Sequence, residues 1–301
     1  MPDASLPPLK SGTVWELALR NFMISLLLNS SRAIAALLLA LSLWLTPGGG
    51  GFGWAATPDS AIASEISSLA AEAMQATRQF DFNTALPLWE RILVLDSNNP
   101  AAYSNRGNAL VGLGRLEEAI ASYDRAIALT PYVSDAYINR GTAYEGLGRW
   151  SEAIADYNAA LEIEPDAADA YNNRGNARAG QHEWAEAIAD YRHAAEMVRD
   201  YPFARSNLAL VLFQTGEIDQ AVQIWRAVSR RHPGFADADA ALAAAYWQQG
   251  DAAKAEDRWA RAMDADKRYR DRNWVANTRR WPEAAVAALE AFLTLQPPIA
   301  S

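Results

Sequence analysis

Hydrophobic and polar positions along this chain repeat every 34 residues between residues 66 and 269. An alanine stands at one place in every copy, an aromatic residue follows four positions later, and a glycine or alanine precedes it by twelve. The recurring alanine and aromatic pairs are Ala85 and Trp89, Ala119 and Tyr123, Ala153 and Tyr157, Ala187 and Tyr191, Ala221 and Trp225, and Ala255 and Trp259. Residues four apart share one helix face. A period of this length predicts helix hairpins that stack, because one hairpin cannot bury its apolar face alone.

The pattern divides the chain into three parts. Residues 1–63 precede the repeats, residues 64–269 hold six copies that begin near 66, 100, 134, 168, 202 and 236, and residues 270–301 depart from the period. Glycines such as Gly114, Gly148 and Gly216 stand where a first helix should end in a left-handed turn. In the last part, Trp281-Pro282 separates two short helical segments. We expect these to form a degenerate seventh pair that caps the stack.

One copy carries the residues Tyr137, Gly141, Tyr144, Ala153, Tyr157, Ala160 and Pro165. This pattern resembles the tetratricopeptide repeat. The resemblance implies an all-α fold, a right-handed α-α superhelix whose first helices line a concave groove for a protein or peptide. The Tyr-x-Asn-Arg-Gly copies behind an apolar leader are also similar to exported repeat proteins of cyanobacteria and chloroplasts, which implies a role in assembling or maturing a membrane-associated complex.

By that resemblance, polar and apolar side chains on the first helices are candidates for the groove. The polar candidates are Asn105, Asn108, Asn139, Asn173, Asn176 and Asn207, and the apolar candidates are Phe203, Leu210, Phe213 and Trp247. Carboxamides both donate and accept hydrogen bonds, which suits the backbone of an extended segment. A groove that clamps the terminal carboxylate of a partner through lysine side chains is excluded. The positions where such a clamp has lysine hold Ser104, Ile138, Asp135 and Asp169.

Each candidate set has an alternative explanation. The asparagines also suit a merely solvated helix face. Arg140 and Arg174, which follow two of them, are expected to pair with Asp156 and Asp190 inside the stack rather than with a ligand. The apolar set forms an exposed patch unless the last pair folds back on it through Trp281 and Phe292.

The amino-terminal segment indicates export. Thirteen apolar or small residues at 33–45, with Ser42 the only polar one, follow Arg20 and Arg32 and precede a Pro-Gly break. This arrangement is typical of a secretory signal. The apolar residues Phe22–Leu28 leave an uncleaved anchor over residues 22–45 as the alternative. Either way, we expect a periplasmic or thylakoid-lumen protein that contacts a membrane only through this segment.

Composition narrows the function further. The chain has no cysteine and three scattered histidines, and it lacks nucleophile, zinc, dinucleotide and phosphate-loop motifs. We therefore expect no enzyme, cofactor or metal site. Residues 64–191 carry 9 basic against 19 acidic groups and residues 192–280 carry 15 against 12, which argues against nucleic-acid binding. The favoured function is a protein-binding adaptor. The alternative is a structural scaffold that self-associates, acidic half to basic half.

Overall fold

A computed structural model describes residues 58–295, and every regular element in that range is helical. The described residues divide into two units, with the boundary between Pro131 and Tyr132. The first unit contains α1 (Pro58–Arg78), α2 (Phe82–Leu95), α3 (Pro100–Gly112) and α4 (Leu116–Leu129). The second contains α5 (Ser134–Gly146), α6 (Trp150–Ile163), α7 (Ala168–Gly180), α8 (Trp184–Met197), α9 (Pro202–Gln214), α10 (Ile218–Arg231), α11 (Ala236–Gln248), α12 (Ala252–Ala265), a 3₁₀ helix (Lys267–Arg270), α13 (Arg272–Asn277) and α14 (Glu283–Leu293).

Consecutive helices pair as hairpins, and each second helix also packs on the first helix of the following hairpin in its unit. In the second unit the first helices α5, α7, α9 and α11 additionally contact one another in order, so they form one continuous layer. We call these four helices the inner layer. The predicted all-α stack of hairpins is therefore confirmed within each unit.

Backbone geometry ends the first helices where the sequence placed glycine. Gly114 has φ of 73°, and the Arg115 N–H donates to the Leu110 carbonyl at 2.9 Å. This is the hydrogen bond of a Schellman motif, in which the left-handed residue lets two orphan carbonyls find donors. The same place in the fourth repeat holds His182, at φ of 60°. A short turn thus joins each first helix to its second helix, with or without glycine.

The repeating alanines lie in buried contacts between helices. Ala85, Ala119, Ala153 and Ala187 are all fully buried. The aromatic residues four positions later are also buried; Tyr123 and Tyr157 have no exposed surface. A methyl group permits the close approach, and the adjacent ring fills the space beside it. The 34-residue period therefore reports buried helix contacts that recur within and between hairpins.

The carboxyl-terminal segment departs from the repeat. Before Trp281-Pro282 the structure has a 3₁₀ helix and the six-residue α13. Asp271 caps the start of α13 by accepting from the Trp274 N–H at 3.1 Å. Helix α14 then packs on α11 and α9. It lies on the inner layer rather than adding a seventh hairpin to the end of the stack. Proline at 282 and the apolar face of α14 explain the reversal.

Candidate functional site

Two predicted groove asparagines accept hydrogen bonds from buried tyrosines. Asn108 is 4% exposed and its side-chain oxygen accepts a 2.7 Å hydrogen bond from the Tyr123 hydroxyl. Asn176 accepts a 2.9 Å bond from the Tyr191 hydroxyl in the same way. A buried phenol needs an acceptor, since an unpaired buried hydroxyl is costly. The prediction that Asn108 contacts a ligand is therefore corrected, and the Asn176 oxygen is already in use.

This pairing belongs to a three-position pattern that sequence reasoning missed. A Cβ atom at Gly141 would lie 2.7 Å from the Tyr157 ring, so the tyrosine packs directly on the glycine backbone. Repeats with tyrosine have glycine and a polar residue before it, whereas repeats with tryptophan have alanine and an apolar residue. The two sets are Gly107-Asn108-Tyr123, Gly141-Thr142-Tyr157 and Gly175-Asn176-Tyr191, against Ala73-Met74-Trp89, Ala209-Leu210-Trp225 and Ala243-Ala244-Trp259. Comparing three positions together would have identified these asparagines as partners of tyrosine.

The structure joins some of the remaining asparagines into a cluster in the second unit. Asn207 on α9 donates 3.1 Å hydrogen bonds to the side-chain oxygens of Asn172 and Asn176 on α7. Asn172 in turn donates to the Asn173 oxygen at 3.1 Å. We call Asn172, Asn173, Asn176 and Asn207 the carboxamide cluster. It links two helices of the inner layer and fixes the orientation of its members.

Two members of the cluster, Asn173 and Asn176, have amide NH₂ groups that donate to no residue the structure describes. Asn173 is half-buried, its oxygen is held by Asn172, and its amide NH₂ donates to no described residue. Outside the cluster, Asn139 is 8% exposed and makes no side-chain hydrogen bond to a described residue. In the first unit, Asn105 donates to the Ala101 carbonyl of its own helix at 2.9 Å. Asn173 and Asn176 are thus the half-buried predicted asparagines that offer an amide donor to a ligand.

The arginines that follow the asparagines pair inside the stack, as expected. Arg140 forms a bidentate ion pair with Asp156, with Nη2 and Nε at 2.6 and 2.8 Å from the two oxygens. Arg174 binds Asp190 in the same manner, at 2.7 and 3.0 Å. Both aspartates are buried, at 5% and 3% exposed. These pairs hold a first helix to its own second helix, because two parallel hydrogen bonds fix the guanidinium plane.

The four apolar candidates do not form an exposed patch. Leu210 and Phe213 are each 4% exposed, and Phe213 packs on Trp225 with ring centroids 5.8 Å apart. Phe203 is covered by Phe235 at 5.1 Å. Trp247 lies against Phe292 of α14 at 5.6 Å. The prediction of an exposed apolar surface is therefore wrong. The carboxyl-terminal segment does fold back on the inner layer, but of these four residues only Trp247 has its ring packed on Phe292; Phe203 and Phe213 are packed on aromatic residues of the repeats.

A buried ion pair anchors that segment. Asp237 on α11 is 4% exposed, and one of its oxygens accepts from the Arg279 Nη2 at 2.6 Å, the Tyr269 hydroxyl at 2.7 Å and the Trp281 indole N–H at 3.0 Å. Its second oxygen accepts from the Ser206 hydroxyl at 2.7 Å. Burial alone would raise the pKa of Asp237, but the Arg279 charge and these hydrogen bonds hold it below 3.8. The same pairing raises the pKa of Arg279 despite its burial.

Neither metal binding nor membrane crossing finds support in residues 58–295. Within that range no three His, Asp or Glu side chains converge as metal ligands. No helix there combines the length and the apolarity needed to cross a membrane. The predicted signal or anchor at residues 22–45 lies outside the described residues.

Comparison with protein-family models gives two matches. A TPR repeat model matches residues 107–148 and 146–181, and a tetratricopeptide repeat model matches residues 206–270. Two stretches of the chain, 107–181 and 206–270, are thus similar to tetratricopeptide repeats. Repeat stacks of this kind are scaffolds for protein interaction, with binding surfaces built from successive repeats. No curated protein matches the chain.

Several solved repeat structures resemble this protein. A tetratricopeptide repeat protein from Parabacteroides merdae is 20% identical, with a TM-score of 0.59 over 77% of this chain and 94% of that one. The pilF protein of Pseudomonas aeruginosa is 14% identical, with a TM-score of 0.59 over 68% and 93%. A thermophilic TPR protein of Thermus thermophilus is 23% identical, with a TM-score of 0.52 over 60% and 98%. At these identities the likeness establishes the solenoid fold alone.

Proposed function

We propose that this repeat protein is a non-catalytic adaptor that binds an extended protein or peptide segment on the inner layer of its second unit. The observation that carries the proposal is the carboxamide cluster. Asn172 and Asn207 hold neighbouring carboxamides in place, and Asn173 keeps its NH₂ group unspent on the same surface. An oriented donor binds a backbone carbonyl with little further loss of side-chain entropy.

The chemistry of the surroundings fits a polypeptide better than a small molecule. Asn173 and Asn176 lie three positions apart on α7 and therefore share one helix face, so their half-buried amides offer donors along the helix. Extended segments are bound by donors for the backbone and by apolar contacts for alternate side chains. The adjacent Arg174 is held by Asp190, which keeps its charge directed into the stack.

A photo-crosslinking amino acid at position 173 tests the proposal in cells of the source organism. The matched control places it at Ala189, an exposed position on the second helix α8 of the same repeat. We expect a discrete protein adduct from position 173 alone. Purified partner should then bind the wild-type chain at least about tenfold more tightly than Asn173→Ala, since a lost hydrogen bond leaves a backbone group unpaired. Identical adduct patterns from both positions would refute groove binding.

The same sample addresses two finer parts of the proposal. We further propose that the adaptor is exported by residues 1–63 and serves the assembly or maturation of a membrane-associated complex. Apolar residues 33–45 behind Arg32 support export. Recovery of the chain in the cytosolic fraction, with its first residues intact, would contradict export. Adducts that contain only a second copy of this chain would favour the self-associating scaffold instead.

A further inference from the structure

Beyond the Asp237 anchor, a second contact of the carboxyl-terminal segment reaches across the second unit to α5. The Arg280 Nη1 atom lies 3.0 Å from Glu145 Oε2, and its Nη2 donates to the Glu145 backbone carbonyl at 3.0 Å. The guanidinium carbon is also 5.1 Å from the centre of the Trp150 ring. Carboxylate, carbonyl and indole thus all contact one guanidinium. These are the three groups that favour arginine over other cations.

The pocket that holds Arg280 is formed by the repeats themselves. Glu145 is 6% exposed, and its other oxygen accepts a 2.6 Å hydrogen bond from the buried Tyr157 hydroxyl. The Trp150 ring rests on the end of α7, where a Cβ atom at Gly180 would lie 2.8 Å away. Each wall is therefore fixed by a contact that does not involve Arg280.

The first unit provides an internal comparison. There Phe82 packs on Gly112, where a Cβ atom would lie 2.5 Å from the ring, in the same relation as Trp150 and Gly180. The residue that corresponds to Glu145 is Thr77, which bonds to its own helix. The aromatic platform thus recurs without the acid, so it is Glu145 that makes this site a cation site.

Arg280 is held less firmly than its neighbour. Its side chain is 40% exposed, whereas that of Arg279 is 17% exposed. Its backbone has φ of 54°, a left-handed conformation that costs free energy in arginine. The nearby contact of Glu283 with His182 is exposed and 3.9 Å long. Arg280 can therefore leave its pocket while Arg279 and Asp237 keep the segment anchored.

We infer that Glu145, Trp150 and Gly180 form an arginine-recognition subsite on the inner layer, which Arg280 of the same chain occupies until an arginine-bearing segment of a partner displaces it. The inference rests on the proposed function, since it supplies a partner chemistry for the same layer of helices. Removing Arg280 alone would leave a buried carboxylate without its cation, and this provides the driving force for a second arginine to bind. The partner is thus a segment with an accessible arginine.

Titration of the full chain with N-acetyl-arginine amide tests the subsite, with N-acetyl-lysine amide as the matched probe. The indole N–H signal of Trp150, assigned with Trp150→Phe, reports occupancy. We expect Arg280→Ala to bind the arginine probe saturably and at least about tenfold more tightly than it binds the lysine probe. It should also bind the arginine probe at least about tenfold more tightly than the wild type does. Adding Glu145→Gln should abolish this binding. No arginine binding in Arg280→Ala, or binding unaffected by Glu145→Gln, would overturn the inference.

Two further arms separate the possible failures. If Arg280→Ala does not fold, Arg280→Gln removes the same positive charge. If neither variant folds, the inference is overturned, because Arg280 would then be required for folding and could not be displaced by a partner. Crosslinking from position 173 should capture several-fold more partner in Arg280→Ala than in wild type. Equal capture overturns displacement while the adaptor function stands. If no variant captures a partner, the adaptor function fails, and the titration still decides the subsite.

Discussion

Removal of the Asp237 carboxylate tests how the carboxyl-terminal segment is attached. The substitution Asp237→Ala leaves Arg279 in a site where its side chain is only 17% exposed, with no other carboxylate among its hydrogen-bond partners. Breaking a buried pair by deleting one partner destabilises a protein by about 3–5 kcal/mol. We therefore expect a loss of that size in the free energy of unfolding of the second unit. Such a loss is a large fraction of the free energy of unfolding of a typical protein, which is about 5–15 kcal/mol.

The assay combines urea unfolding with limited trypsin digestion. Because the chain has two units, unfolding is followed by hydrogen exchange of α11 and α14 amides as well as by circular dichroism. Trypsin should cleave after Arg279 or Arg280 in the variant well before it cleaves the wild type. Arg279→Met should also destabilise, and the double variant should lose at least about 2 kcal/mol less than the sum of the single variants, because the two side chains interact directly.

The matched control is Asp257→Ala. Asp257 pairs with Arg261 at 3.3 Å, but their side chains are 57% and 58% exposed. Exposed pairs contribute about 0–1 kcal/mol because water and salt screen them. If Asp237→Ala destabilises no more than Asp257→Ala does, the buried pair is not the anchor. The attachment would then rest on the packing of Phe292 against Trp247 and Trp259.

Three further predictions concern the core and its pH dependence. Gly175→Ala should lower the free energy of unfolding in urea by about 1–3 kcal/mol, because the new Cβ would lie 2.7 Å from the Tyr191 ring. This loss is expected although alanine is the better helix former. An unchanged stability would refute the close contact. Tyr191→Phe should cost about 0.5–1.5 kcal/mol through its lost hydrogen bond, and no loss would contradict that bond. The lowered pKa of Asp237 means that its stabilising effect is complete above pH 3.8 and is lost as the pH falls through the folded-state value. The stability difference between wild type and Asp237→Asn should therefore be largest at pH 7 and shrink below pH 3.8, and a constant difference would refute the assignment.

The sequence predicted the hairpins because their contacts recur at one spacing. Ala153 and Tyr157 lie on the same face of α6, and the copies 34 residues away repeat the arrangement. Such local periodicity needs no knowledge of distant contacts. The ion pairs of Arg140 and Arg174 were predictable for the same reason, since each joins two helices of one hairpin.

The site was harder to predict because a helix face does not determine what covers it. Leu210 and Phe213 occupy positions that a neighbouring element can bury, and nothing in their own spacing reports that α14 lies on α9 and α11. The contact between Arg280 and Glu145 joins residues 135 positions apart. No periodic signal spans such a separation, so only the folded arrangement of the carboxyl-terminal segment discloses it.

The asparagines of the first helices also show why recurrence in the sequence alone does not identify a ligand-binding surface. Asn105, Asn139, Asn173 and Asn207 recur at a spacing of 34, yet Asn105 donates to its own helix and Asn207 donates to α7. Asn173, whose donor is unspent, is oriented by the bond that its oxygen accepts from Asn172. A partner therefore meets a surface whose polar groups are mostly satisfied within the protein. Its affinity must come from few contacts, and a charged contact at Glu145 would then distinguish one segment from another more than the asparagines do.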